Sequence, residues 1–183
     1  VCSSDPMILH VMNAVQAAGI NETAVVLGHQ QNRVLKALHG YDFIPVTQKE
    51  QLGTGHAVLC AEQACTNADT IMILCGDTPL IRAETLEAMA EARARHAVVV
   101  LGFEAATPGR YGRLVTEGES LQWIVEFKDA TEQERAITLC NSGVLCAEAA
   151  VLADLVTAVG CDNAAGEYYL PDVVELARAR GLS

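Results

Sequence analysis

Short apolar runs alternate with stretches whose apolar residues recur every three or four positions, and this alternation governs the first half of the chain. Met7, Ile8, Val11, Met12 and Val15 fall at helical spacing, and Gly19 closes the segment. Asp5-Pro6 supplies a start for that helix, an N-cap residue followed by proline at the first helical position. Thr23 to Leu27 is a short run ending at Gly28, the pattern of a buried parallel strand. Gln31 to Leu38 predicts a polar helix, Phe43 to Val46 a second strand, and Thr54 to Ala64 another helix. Thr70 to Cys75 is the most strand-like run of all, and Thr78-Pro79 breaks it. Ala83 to Arg95 then reads as a helix and Val98 to Phe103 as a further buried strand. Strands of this kind, separated by helices, predict a parallel sheet covered on both faces.

The pattern changes after Phe103. Gly109, Gly112 and Gly118 punctuate shorter segments, and Arg113 to Thr116 with Leu121 to Glu126 read as paired strands. A charged helical turn at Glu132 to Arg135 precedes a strand over Leu139 to Cys146, and helices follow over Ala149 to Val156 and Pro171 to Arg180. No internal repeat, low-complexity segment or linker interrupts the chain, so one α/β domain with a more irregular second half is expected.

Composition narrows the function. With 183 residues and 51% hydrophobic content the chain can bury a full core, and disorder is excluded. No apolar run is long enough to cross a bilayer, and no stretch near Val1 reads as a signal peptide. Twenty-three acidic against 12 basic residues give a net charge of −11, which argues against nonspecific binding to nucleic acid or an anionic membrane. A phosphate ligand on such a protein needs a few placed cations, backbone N–H groups and a metal. The seven cysteines include no C-x-x-C pair, and Cys60, Cys75, Cys140 and Cys146 sit inside apolar runs, as small buried hydrophobes do. A reducing compartment, the cytoplasm, is expected.

Five segments carry candidate chemistry. Asp77 follows Ile71-Met72-Ile73-Leu74-Cys75-Gly76, where an apolar strand emerges; ligands of open α/β sheets bind beyond such strand ends. Its carboxylate suits Mg²⁺, and Gly76 permits close approach of a ligand; a simple cap on the turn to Thr78-Pro79 is the competing role. In Gln48-Lys49-Glu50-Gln51-Leu52-Gly53-Thr54-Gly55-His56, two glycines precede a helix, and both glutamine amides can read a base edge through donor and acceptor. The competing role is a tight turn with Thr54 as N-cap and His56 purely structural. Gly109-Arg110-Tyr111-Gly112-Arg113 is either a phosphate- or sugar-binding loop or a solvated one. Glu126 and Lys128 form either a ligand contact or a surface ion pair. Asn141-Ser142-Gly143 interrupts an apolar strand, so Asn141 binds either a ligand or an internal partner. No Walker loop, G-x-G-x-x-G or G-x-S-x-G is present.

Taken in order, QLGTGHA (51–57), GDTPL (76–80), YGR (111–113), VEFKDAT (125–131), NSGV (141–144) and GEYYLPD (166–172) resemble the uridylyltransferase domain of the bacterial N-acetylglucosamine-1-phosphate uridylyltransferases. The match runs from about Met7 to the end of the chain. The resemblance implies a Rossmann-like nucleotide-diphospho-sugar transferase sandwich, with a mixed, mostly parallel sheet and helices on both faces. It implies synthesis of UDP-N-acetylglucosamine and pyrophosphate from UTP and N-acetylglucosamine 1-phosphate, for cell-wall and lipopolysaccharide precursors. By the same resemblance Gln48, Gln51, Gly53, Thr54 and Gly76 bind the nucleotide, Asp77 is catalytic and holds Mg²⁺, and Gly112, Glu126 and Asn141 contact the acetylated sugar.

Residues 1–183 are expected to form the uridylyltransferase domain alone. The family's Gly-rich loop, L-x-A-G-x-G-T-R-M, and the β-helix acetyltransferase domain that makes bifunctional members homotrimers would lie outside them. On that expectation residues 1–183 alone transfer little or no uridylyl group. Cys75 stands where relatives often carry an aromatic residue. A transferase for another sugar 1-phosphate, or a non-catalytic domain of the same fold, is the alternative.

Overall fold

The computed structural model describes residues 6–118 and 120–183. Asp5, the expected N-cap, lies outside them; Pro6 occupies the capping position of α1 (Met7–Ala17), and Gly19 ends that segment at φ +71°. The chain continues through β1 (Ala24–Leu27), α2 (Gln31–Ala37), β2 (Ile44–Thr47), α3 (Thr54–Ala61) and a 3-10 turn at Glu62–Cys65. Then come β3 (Thr70–Ile73), α4 (Ala83–Arg93), β4 (Val98–Glu104), β5 (Arg113–Glu117) and β6 (Ser120–Val125). The last elements are α5 (Glu132–Arg135), β7 (Leu139–Glu148), α6 (Ala149–Thr157) and α7 (Asp172–Ala179). Each expected element is present, with ends shifted by a few residues.

Strand sense is where hydrophobic pattern and architecture part. β1 and β2 pair in parallel, from Ala24↔Ile44 to Leu27↔Thr47, around the crossover helix α2. In the five-stranded sheet every ladder is antiparallel. β7 runs back between β3 and β4: Leu145 stands opposite both Ile73 and Val100. β3 and β4 therefore share one direction but are separated by a strand from the second half of the chain. An apolar run reports burial on both faces and not the direction of its neighbour.

The period of two along β7 divides the core. Leu145 and Ala147 pack with Leu152, Leu155, Val156 and Val173 of α6 and α7, while Val144 and Cys146 pack with Met89 of α4. Helices thus cover both faces of this sheet. α1 bridges the sheets, Met12 packing with Val25 and Leu27 of β1, and Ala14 and Val15 with Leu86 of α4. Cys140 and Cys146 are fully buried thiols, and the six cysteines among the described residues are all free. No helix among the described residues is long and apolar enough to cross a membrane.

Among the described residues one charged side chain is buried. Arg113, at the start of β5, is 1% exposed and donates to the carbonyls of Gly109 (3.0 Å), Tyr111 and Arg135 (3.3 Å). The expected phosphate-binding role for the 109–113 loop therefore does not extend to this guanidinium, which faces inward. Arg135 ends α5, whose start is a capping box between Thr131 and Glu134. Donation from Thr131 holds the Glu134 carboxyl below its ordinary value. Arg113 thereby ties the 109–112 loop to α5. Arg113→Met leaves these carbonyls facing an apolar chain, and a loss of about 3 kcal/mol is expected from urea unfolding.

Candidate active site

The turn before α3 is held by a distant segment. Tyr168 N–H donates to Leu52 O (2.8 Å), Gly55 N–H donates to Tyr168 O (2.8 Å), and Leu170 N–H donates to the Thr54 hydroxyl (3.0 Å). The QLGTG and GEYYLPD motifs thus form one unit. Gly53 sits at φ +111°, and a Cβ there would lie 2.6 Å from Tyr168 O. The competing role weighed for Thr54 was the helix cap; the N-cap is Gly53, and the Thr54 hydroxyl instead serves the backbone of Leu170. Among the described residues the N–H groups of Gly53 and Thr54 meet no acceptor, so they stand free at the start of α3.

Gln48 continues β2, its N–H donating to Leu27 O (2.8 Å). Its side-chain Nε2 lies 3.1 Å from Gly53 O and 3.0 Å from His56 Nδ1. Gln51 lies over Gly28, where a Cβ would come 3.1 Å from its Nε2. Both glutamines line an open hollow of about 460 Å³ beyond the end of β1, with Thr47 and Lys49.

Asp77 is exposed just past β3, and among the described residues its carboxylate makes neither a hydrogen bond nor an ion pair. The turn is closed by Thr78, whose N–H and hydroxyl both donate to Cys75 O, at 3.3 and 2.7 Å. The capping role weighed for Asp77 therefore belongs to Thr78. Over Gly76 the space is not open: a Cβ would meet Ile8 Cδ1 of α1 at 3.3 Å. Burial, with the Asp77 charge behind it, pushes the Cys75 thiol up, so it stays protonated at neutral pH.

The three residues expected at the sugar come together. A Cβ on Gly112 would stand 3.0 Å from Glu126 Oε1 and 3.5 Å from Asn141 Cβ. Asn141 N–H donates to Gly112 O (2.9 Å), and Asn141 Oδ1 accepts from Gly143 N–H (3.0 Å). This leaves the amide NH₂ of Asn141 without an acceptor among the described residues. Gly143, at φ +81°, lets β7 approach Cys75, whose Sγ a Cβ there would meet at 2.9 Å. Glu126 makes no ion pair with Lys128. Burial, then the charges of Asp129 and Asp172, raise its carboxyl above the ordinary value.

Gln48, Thr54, Gly76, Glu126 and Asn141 all line one cavity of about 1410 Å³ between the two sheets, and Asp77 follows Gly76 at its edge. Gly143 and Tyr169 line it too. Sequence reading named neither as a site residue, although NSGV and GEYYLPD contain them. Among the described residues no group of three or more acidic, histidine or cysteine side chains is gathered for a metal. Asp77 is thus a lone free carboxylate, a donor set that fits a divalent cation completed by ligand phosphates and waters.

The α/β sandwich is a nucleotidyltransferase fold. Two solved structures of UDP-glucose pyrophosphorylase share it at 17% identity: the UDP-glucose complex at TM-score 0.77, over 97% of this chain and 76% of that one, and the apo form at 0.78, over 97% and 77%. The chain belongs to the MobA-like NTP transferase domain family, whose model matches residues 2–112. It is 59% identical over 181 residues to the bifunctional protein GlmU of Cereibacter sphaeroides (strain ATCC 17025 / ATH 2.4.3) and 54% to that of Ruegeria sp. (strain TM1040). Each match covers 97% of this chain and 40% of the relative, so the chain spans about two fifths of the curated relatives' length.

The raised Glu126 carboxyl sets a pH test. The fold favours its neutral form, so its contribution is fully present below the unfolded-state value. That contribution is lost as pH rises through the higher folded value. Glu126→Gln is expected to unfold at higher urea than the parent at pH 7, with the difference closing below about pH 4. Equal stability at both pH values would remove the charge from the energetics of this site.

Proposed function

We propose that this domain transfers a uridylyl group from UTP to N-acetylglucosamine 1-phosphate, giving UDP-N-acetylglucosamine and pyrophosphate. The observation that carries this reading is the convergence of Glu126 and Asn141, with Gly112 packed against both, on the cavity that Gln48 and Thr54 also line. High identity to proteins named bifunctional protein GlmU supports it. In this reading the domain works in the cytoplasm, and the longer protein containing it is a trimer.

In the reaction a sugar-phosphate oxygen forms a bond to the α-phosphorus of UTP, and the α–β bridging oxygen leaves with pyrophosphate. No side-chain nucleophile is required, so the chain acts by positioning and by meeting charge. Gln48 and Gln51 hold the base end, and the free N–H groups of Gly53 and Thr54 present donors beside it. The missing Gly112 side chain lets Glu126 and Asn141 sit together where the sugar binds. The Asn141 NH₂ donates to the sugar's acceptor groups, and Glu126 accepts from its hydroxyls. Asp77 would hold a divalent cation, Mg²⁺ in this reading, which when bound neutralises phosphate charge.

Asp77→Asn, made in the protein expressed from its complete gene, is expected to lower pyrophosphate release at least about 100-fold with an unchanged thermal melt. Near-parental turnover at saturating Mg²⁺ would remove Asp77 from the reaction. Asn141→Ala is expected to raise KM for the sugar phosphate about tenfold while leaving KM for UTP within about twofold. Equal damage to both substrates would assign Asn141 to the fold.

A further inference from the structure

We infer that His56 is a positioning residue that locks the Gln48 amide in one orientation and thereby selects an imide base such as uracil over cytosine; the base preference rests on the uridylyl-transfer reading above. A glutamine amide free to rotate offers a ligand either its oxygen or its NH₂, and so accommodates a base edge that donates or one that accepts. Gln48 has no such freedom. The side-chain atom 3.1 Å from Gly53 O faces an acceptor that can only accept, so that atom is the NH₂ nitrogen. The same nitrogen lies 3.0 Å from His56 Nδ1, so its second hydrogen is donated to the imidazole.

Two consequences follow for the groups involved. His56 Nδ1 is an acceptor, which places the imidazole hydrogen on Nε2, the nitrogen 3.8 Å from Cys60 Sγ one helical turn along α3. Both donors of Gln48 are engaged, and among the described residues nothing donates to its Oε1. Gln48 therefore presents the cavity with an acceptor alone. An acceptor matches the ring N–H of uracil, whereas cytosine carries a lone pair at that ring position. Turning the amide to suit cytosine would set Oε1 against Gly53 O, which has nothing to donate, and would force the His56 hydrogen from Nε2 to Nδ1. Sequence reading took Gln48 as a reader with both donor and acceptor, and took His56 as structural. The contact between them removes the donor half of the first role and gives the second residue a task.

The test separates the lock from the reading it rests on. Nitrogen-15 NMR of the full chain reports the His56 tautomer without any ligand. The Nε2–H form with an unprotonated Nδ1 is expected at pH 8, and an Nδ1–H form overturns the lock. His56→Leu removes the acceptor, and His56→Asn keeps an acceptor near the position of Nδ1. In the protein from the complete gene, His56→Leu is expected to cut the UTP-over-CTP ratio of kcat/KM about tenfold. The loss should appear in KM for UTP, with KM for the sugar phosphate unchanged, and His56→Asn should restore most of it. A ratio within about twofold of the parent in His56→Leu, with only a lowered melt, overturns the proposal in favour of a packing role. The expected tautomer in a parent that transfers no uridylyl group upholds the locked amide and refutes the functional reading instead.

Discussion

The hydrogen-bond ladders along β7 are the constraint on which the rest of the domain depends. β3, β4 and β5 all pair with it, and its alternating side chains divide the core between α4 on one face and α6 with α7 on the other. A strand so engaged cannot shift by one residue, since a slip would exchange Leu145 and Ala147 for Val144 and Cys146 on opposite faces. The same register fixes Asn141 beside Gly112 and carries Gly143 to Cys75. Two parts of the candidate site, the Gly112, Glu126 and Asn141 group and the strand that leads to Asp77, are therefore positioned by one set of backbone bonds.

A second joint completes the site from the other side. Tyr168 clasps the turn at Leu52–Gly55 from more than a hundred residues away, and Gly53 permits it because no Cβ fits beside the Tyr168 backbone. Gly112 likewise stands where a Cβ would come 3.0 Å from Glu126 Oε1. At the first glycine, backbone fills the space that a side chain would take; at the second, the Glu126 carboxylate does. That difference was hidden in the sequence, where both are a glycine next to polar residues.

The sequence announced where each element lies, because apolar runs and helical spacing are local properties of the chain. It also grouped Gly112, Glu126 and Asn141, through the ordered motifs. Direction of pairing was not legible, since the return of β7 between β3 and β4 is a long-range event. Nor was the division of labour at each turn. Thr78 closes the turn after β3 and leaves Asp77 free, while Thr54 bonds to Leu170 and leaves its N–H free. In each case a hydroxyl beside the candidate satisfies the backbone, and only geometry shows which neighbour does so. His56 was passed over for the same reason: its partner Gln48 lies across the turn, outside any helical spacing.

Charge is arranged against stability at this site, and that arrangement bears on function. Glu126 is half-buried near Asp129 and Asp172 with no cation bound to it, while the buried Arg113 is engaged by carbonyls instead. A fold optimised only for stability would have exchanged these partners or replaced Glu126 by an amide. A carboxylate kept short of donors has accepting capacity left for a ligand, and a sugar carries hydroxyl donors. The acid cluster would repel a phosphate, so in the proposed reaction the phosphate end of the ligand lies away from it, toward the edge at Asp77. In a MobA-like NTP transferase domain of net charge −11, the proposed reading sets the sugar at this acidic end and the nucleotide base by the free N–H groups of Gly53 and Thr54, a separation that would orient the ligand before any chemistry begins.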